Sequence, residues 1–253
     1  MSEKFQYGQR VEYEVTEKLL DFKTSKAHVE WVQTRYHGKM LLMDEEVQFS
    51  TLDEHRYHEK LVGMLPTSCK RVLILGGGDG LAAREVYARM PDVINVTIVD
   101  WDQEFVELFA LGLPENKGSL KDERTHLEYT DAYVYLYSTH DQPYDGVIID
   151  LPDPDGDEMI ALYHKIITVL YRVIHLHTAI VSHVGPASLC KDHPNWEFIR
   201  EFKDQVRKSF AAVPRFKFDY VYVPSFSHDW GFLQWEFALQ KDSKTIEDIY
   251  RRL

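Results

Sequence analysis

The chain has 253 residues, of which 44% are hydrophobic and 13% aromatic, enough for a full core and too apolar for a disordered polymer. Its net charge of −12 argues against a nucleic-acid or anionic-membrane binder and is compatible with a small cationic partner. No apolar run approaches a membrane span, MSEKFQYGQR lacks the apolar core of a secretory leader, and Cys69 and Cys190 form no metal or redox motif, so a reducing cytoplasm is the expected setting.

In chain order, VEYEV, HVEWVQTRY, KMLLMD and EVQFST alternate apolar and polar residues, with Gly38 as a break. They predict a small antiparallel β domain over residues 1–52. DEHRYHEKLVGML (53–65) then shows helical spacing through Tyr57, Leu61, Met64 and Leu65, ended by Pro66, and opens a larger domain, 53–253. From residue 71 the texture changes to apolar runs at RVLIL, NVTIVD, HLEYT, DGVIID and TAIVSHV, with helix-like stretches between them at 80–90, 102–110 and 159–175. Such alternation of strand and helix predicts an α/β fold whose parallel sheet is covered on both faces. FDYVYVP and WGFLQWEFAL read as a closing antiparallel pair.

VLILGGGDGLAAREV (72–86) reads as a strand, a glycine turn and a helix start. Gly76, Gly78 and Gly80 let the chain turn sharply and let a ligand approach the helix N-terminus, although a tight turn without ligand would use the same residues. Leu81 stands where the dinucleotide fingerprint places its last glycine, and Asp100 ends the next strand where an acid can take both ribose hydroxyls. Together these favour a nucleoside of the S-adenosylmethionine type over NAD. Asp131 is placed to meet an adenine amino group or to cap the following helix. Asp79 in the loop would repel the tail carboxylate of S-adenosylmethionine but welcome a tail ending only in ammonium, which is the tail of decarboxylated S-adenosylmethionine.

YDGVIIDLPDPDGDE (144–158) crowds Asp150, Asp153, Asp155, Asp157 and Glu158 at the carboxyl end of a core strand, where open α/β sheets place ligands. Like charges that close raise one another's pKa unless a cation sits among them. Attack of an amine on the methylene beside a sulfonium needs carboxylates to hold the polycation and to accept one proton, tasks that Asp150 and Asp153 can divide. A polar loop shaped by Pro152 and Pro154 is the plainer alternative.

GGGDG (76–80), Asp100, D-x-x-D-P (150–154) and YHGKMLLMDEEVQFSTLDEHRYHE (36–59) together resemble the aminopropyltransferases, the spermidine and spermine synthases. The likeness runs over roughly residues 10–240. It implies a Rossmann-like, methyltransferase-type sheet behind the small N-terminal antiparallel β domain, in a homodimer. It implies decarboxylated S-adenosylmethionine as co-substrate, with no permanently bound cofactor and no metal. Carried over by position, it makes Gln33, His58, Asp79, Asp100 and Asp131 donor contacts and Asp153 the base, assisted by Tyr57. Gln48 and Asp150 then lie near the amines.

Departures from the family pattern concern the acceptor. Leu151 and Pro152 replace two hydroxyl residues, Phe226 replaces a tyrosine in VPSFSHDWGF, His183 replaces a glutamine after the fifth core strand, and VGPAS (184–188) looks closer to thermospermine synthases and DLPDP-type bacterial relatives. Trp230 is a candidate wall of the amine pocket. A triamine such as spermidine is therefore expected to be accepted at least as well as putrescine, with Asp155, Asp157 and Glu158 following its extra charge. His55, His58 and Glu59 do not make the H-E-x-x-H of a zinc peptidase, His175 and His177 read as structural, and no G-x-S-x-G elbow is present. The rival readings are an S-adenosylmethionine-dependent methyltransferase of a small amine and a non-catalytic polyamine-binding homologue.

Overall fold

A computed structural model describes residues 2–4, 10–139, 142–154, 156–187, 194–210 and 212–237. β1 (Ser2–Lys4) and β2 (Arg10–Glu12) form an antiparallel ribbon. β3 (Val15–Lys23), β4 (His28–Thr34), β5 (Lys39–Met43) and β6 (Glu46–Ser50) follow as an antiparallel meander in that order. The first strand of this meander is VTEKLLDFK and not VEYEV, which corrects the sequence reading. VTEKLLDFK is an edge strand with most side chains in solvent, so charge masks its alternation.

α1 (Glu54–Gly63) carries the chain from the meander into a seven-stranded sheet. Its strands are β7 (Arg71–Gly76), β8 (Asn95–Asp100), β9 (Thr125–Tyr129), β10 (Tyr144–Asp150), β11 (Ile174–Pro186), β12 (Pro214–Val223) and β13 (His228–Phe237), in the order β12-β13-β11-β10-β7-β8-β9. The strands from β9 to β11 run parallel, while β13 lies antiparallel between β11 and β12. This is the expected Rossmann-like, methyltransferase-type arrangement. Its helices are α2 (Leu81–Arg89), α3 (Gln103–Leu108), α4 (Ala132–Ser138), α5 (Gly156–Val169) and α6 (Pro194–Ser209). The stretch 159–175 was expected to be helical throughout; instead α5 stops at Val169 and residue 174 already belongs to β11.

Both faces of the sheet are covered, and successive residues of β7 show how. Ile74 packs into a cluster shared with Val29, Leu41, Phe49 and Leu61, whereas Leu73 and Leu75 pack with Tyr163, Phe202 and Trp235. Side chains alternate across a strand, so a strand buried on both sides must be apolar at every position, as VLIL is. The meander shares its core with one face of the sheet. Thr24, in the β3–β4 turn, reinforces that contact by donating its hydroxyl to Asp102 at 2.7 Å.

Candidate active site

Strand order reverses between β7 and β10, and open α/β sheets bind ligands beyond the carboxyl ends of strands at such a point. A cleft of about 640 Å³ opens there. The register pairs Asp150 with Gly76, so the acidic loop and the glycine loop leave the sheet side by side. A Cβ on Gly76 would lie 2.0 Å from the Asp150 carbonyl oxygen, and one on Gly78 would lie 2.5 Å from the Asp100 carboxylate. These two glycines therefore admit protein as well as any ligand. Gly76 adopts φ +83°, and Gly78 donates its N–H to Asp100 Oδ2 at 3.0 Å. Gly80 stands outside the cleft lining and packs against Leu120 and Ser119, so its part is to shape the turn.

Asp79, Asp100 and Asp131 all reach the cleft. Asp100 accepts from the N–H of Asp102 as well, yet burial holds its pKa above the ordinary value. Asp131 caps α4 through the Val134 N–H at 3.0 Å, as its capping reading expected, and also lines the cleft. Asp79 accepts from the Leu81 N–H at 2.8 Å, and burial pushes its pKa up to about 6 even with His58 pulling it down. His58 is held by Glu54, whose backbone carbonyl and Oε2 lie 2.8 and 3.0 Å from Nδ1. Arg84 in turn grips Glu54 with two bonds of 2.7 and 2.9 Å. Burial opposes charge on His58, but Glu54, Asp79 and Asp150 outweigh it and raise its pKa. Glu54 falls to about 2, since its bonds to His58 and Arg84 outweigh its burial.

On the other side of the cleft the Tyr57 phenol donates to Asp150 Oδ1 at 2.7 Å. Burial and the Asp150 charge raise the Tyr57 pKa well above its ordinary value, so Tyr57 acts as a proton-bearing donor. This phenol bonds Asp150, whereas the sequence reading has Tyr57 assist Asp153. Asp153 is 46% exposed and faces His183 across 3.8 Å. Phe226 and Trp230 close the wall with ring centroids 4.7 Å apart, and Phe226 lies 6.1 Å from the Tyr57 ring. Gln48, exposed on β6, also lines the cleft.

Gln33 is the expected contact that the fold leaves out: it does not line the cleft, and its side-chain amide donates to the Thr34 carbonyl at 2.9 Å. Asp157 and Glu158 stand exposed in the first turn of α5, where negative charge suits the helix N-terminus, and they do not line the cleft. Asp155, Ser188 and Cys190 lie outside the described residues. His55 and Glu59 are exposed while His58 is buried, so the three do not converge. His175 Nε2 is 3.1 Å from Asp145, in keeping with a structural role.

Sequence reasoning missed the scaffold of the Phe226 and Trp230 wall. Asp53 occupies the N-cap of α1 but caps nothing; its carboxylate accepts the Ser225 N–H at 2.6 Å and the Ser225 hydroxyl at 2.8 Å. Tyr13 donates to the Ser225 carbonyl at 2.6 Å. These buried bonds fix the turn that presents Phe226. A signal did exist for Glu54 and Arg84, because a buried acid in a first helical turn needs a cationic partner.

Residues 54–247 match the family model described as the spermine/spermidine synthase domain. The chain belongs to the spermine/spermidine synthase domain family. It is 35% identical over 201 residues to a polyamine aminopropyltransferase of Oceanobacillus iheyensis, covering 76% of this chain and 37% of that protein. It is 34% identical over 218 residues to a polyamine aminopropyltransferase of Saccharolobus islandicus, covering 83% of this chain and 69% of that protein. The chain thus spans little more than a third of the first relative's length. Two solved structures share the fold of this family member. A spermidine synthase in complex with the transition-state analogue AdoDATO superposes with a TM-score of 0.78 at 17% identity, over 92% of this chain and 78% of that one. The spermidine synthase of Thermotoga maritima gives 0.75 at 16% identity, over 96% and 81%. Among the described residues no helix is long and apolar enough to cross a membrane.

Proposed function

We propose that the protein is an enzyme that moves the aminopropyl group of decarboxylated S-adenosylmethionine to a polyamine acceptor, putrescine or spermidine, releasing methylthioadenosine. In this reading Asp100 takes the ribose hydroxyls, Asp131 faces the adenine, and Asp79 and His58 flank the aminopropyl tail. Asp153 removes a proton from the acceptor ammonium, breaking N–H and forming O–H. The freed lone pair then attacks the methylene carbon, and the C–S electron pair returns to sulfur, leaving a neutral thioether. Asp150, with Tyr57 bonded to it, supplies negative charge for the polycation. The names of the matched relatives support the reaction class.

The observation that carries the donor assignment is Asp79, a partly buried carboxylate in the glycine loop with its pKa pushed up to about 6 by burial. A ligand ammonium beside it relieves that cost, whereas a ligand carboxylate would add to it. Calorimetry should therefore show decarboxylated S-adenosylmethionine binding about tenfold or more tightly than S-adenosylmethionine, a difference of ~1.4 kcal/mol or greater. Equal affinity, or tighter binding of the carboxylated form, would revive the methyltransferase reading. The proposal includes a boundary near residue 52, a homodimer and a cytoplasmic setting. The end of β6 at Ser50, before α1, supports the boundary.

A further inference from the structure

We propose that Thr24, in the β3–β4 turn of the N-terminal meander, is a positioning residue for the donor: its hydroxyl fixes Asp102, and Asp102 in turn aims the Asp100 carboxylate. The inference rests on the donor assignment above and goes beyond it, because neither Thr24 nor its turn neighbours Ser25 and Lys26 line the cleft.

Three consecutive residues of the turn meet the segment that follows Asp100. The Thr24 hydroxyl lies 2.7 Å from Asp102 Oδ2, the Ser25 N–H donates to Glu104 Oε2, and Lys26 Nζ lies 4.8 Å from the centre of the Trp101 ring. The hydroxyl has one hydrogen to give. Its oxygen accepts the N–H groups of Lys26 and Ala27, both at 3.0 Å. The Ala27 carbonyl, at 3.3 Å, is farther than the carboxylate and uncharged, so the hydrogen goes to Asp102. One side chain therefore closes its own turn and grips the start of α3. Asp102 is buried, and its two oxygens have separate duties. Oδ1 accepts the Phe105 N–H at 2.9 Å as the N-cap of α3, and Oδ2 receives the Thr24 hydroxyl. A buried carboxylate that loses one of two such donors must shift or leave an oxygen unsatisfied.

Asp102 acts on the cleft through its backbone. Its N–H donates to Asp100 Oδ1 at 2.9 Å, while the Gly78 N–H serves Oδ2 at 3.0 Å. Both oxygens of the acid assigned to the ribose are thus aimed by main-chain donors, one from the glycine loop and one from residue 102. The first is set by the sheet and the turn after β7. The second depends on where Asp102 is seated, and that seat is completed by Thr24, 78 residues earlier in the chain. Two ribose hydroxyls demand acceptors of fixed direction, so a displaced Asp102 loosens the donor side without touching the amine side. Trp101, between the two aspartates, lines the cleft while its ring lies beneath the Lys26 ammonium, so the turn and this edge of the cleft meet at adjacent residues.

The test measures decarboxylated S-adenosylmethionine affinity by calorimetry and amine KM at saturating donor, in wild type, Thr24→Val, Thr24→Ser, Asp102→Asn and the Thr24→Val/Asp102→Asn double variant. Asn at 102 keeps an oxygen for the α3 cap but presents N–H groups where the Thr24 hydroxyl needs an acceptor. Thr24→Val and Asp102→Asn should each lose about fivefold or more in donor affinity, with amine KM within about twofold of wild type. Thr24→Ser should stay within about twofold of wild type. The double variant should be no weaker than the weaker single variant by more than about twofold, because both changes remove the same bond. Val32→Ala, a cavity in the core of the meander away from the turn, serves as the control for general loosening and should leave donor affinity within about twofold. The inference is overturned if Thr24→Val binds the donor within about twofold of wild type, if Thr24→Ser is as impaired as Thr24→Val, if the two single losses add, or if Val32→Ala loses as much. Should Thr24→Val fail to fold, Asp102→Asn decides by the same donor and amine limits. Wild type that binds no decarboxylated S-adenosylmethionine would overturn the donor assignment together with this inference. Binding by wild type that Thr24→Val matches overturns only the role of Thr24.

Discussion

The proposed donor half and the proposed acceptor half of the cleft are built on different principles. In the donor half, Asp79, Asp100 and Asp131 each accept a backbone N–H, and Gly78 has no Cβ because the Asp100 carboxylate occupies that space. The acceptor half holds the opposite kind of surface, with Asp153 at 46% exposure and the buried His183 Nδ1 and Trp230 Nε1 without a hydrogen-bond partner. A donor of fixed shape can be met by a site complete before it arrives. On the proposed reading the amine side instead leaves polar atoms for the substrate to satisfy, a cost that binding would repay and that a wrong substrate would not.

Mutation of each half should therefore fail in its own way. The largest effect is expected from Asp153→Asn, which keeps the side-chain shape and removes its capacity to take a proton. Single-turnover rates should fall on the order of 10²–10⁴, the usual range for a general base, with donor affinity nearly unchanged. A loss below about fivefold at saturating substrates would move the base to Asp150. Next is Gly78→Ala, whose Cβ would sit 2.5 Å from Asp100 Oδ2 and push the carboxylate from its seat. Donor affinity measured by calorimetry should fall about tenfold or more, ~1.4 kcal/mol, with no comparable change for the amine. Equal losses on both ligands would mean that the two halves are one coupled site.

Asp79→Asn separates stability from binding. An acid whose folded pKa lies above its ordinary value contributes stability while protonated, and that contribution is lost as pH rises through the folded value. Asp79 therefore stabilises the fold below about pH 4 and ceases to do so above about 6. Asn keeps the acceptor for the Leu81 N–H and has no charge to bury. Thermal melts at about pH 7.5 should show the variant more stable by about 1–3 kcal/mol, with the gain vanishing near pH 4. Donor affinity should drop at the same time; a variant less stable at both pH values would contradict the burial argument. The smallest effect is expected from Phe226→Tyr, which returns a hydroxyl to the acceptor wall. It should change the putrescine-to-spermidine ratio of kcat/KM by about threefold to tenfold and leave donor binding alone.

The same contrast explains what the sequence let us read. Parallel strands buried on both faces have to be apolar at consecutive positions, so β7, β8 and β10 were legible, and the acids ending them followed from where such sheets bind ligands. β3 was misplaced because an exposed edge strand carries charge on both faces. α6 went unread as a helix, and α4, AYVYLYS, entered only as the helix that Asp131 could cap, because it is short and rich in aromatic residues. The clamp between Asp53 and Ser225 spans 172 residues and leaves no local pattern. His183 was visible only as a departure from the family's glutamine. Its ring bonds a carbonyl 32 residues away, which no spacing rule reports.

The central claim is the reaction itself, and mass spectrometry of products tests it most directly. The protein is incubated with decarboxylated S-adenosylmethionine and, separately, with S-adenosylmethionine, each with putrescine and with spermidine. The account predicts methylthioadenosine together with an amine lengthened by one aminopropyl group from the decarboxylated donor, and no transfer from the carboxylated one. A methylated amine with S-adenosylhomocysteine, or no product from either donor with any of these amines, would contradict it.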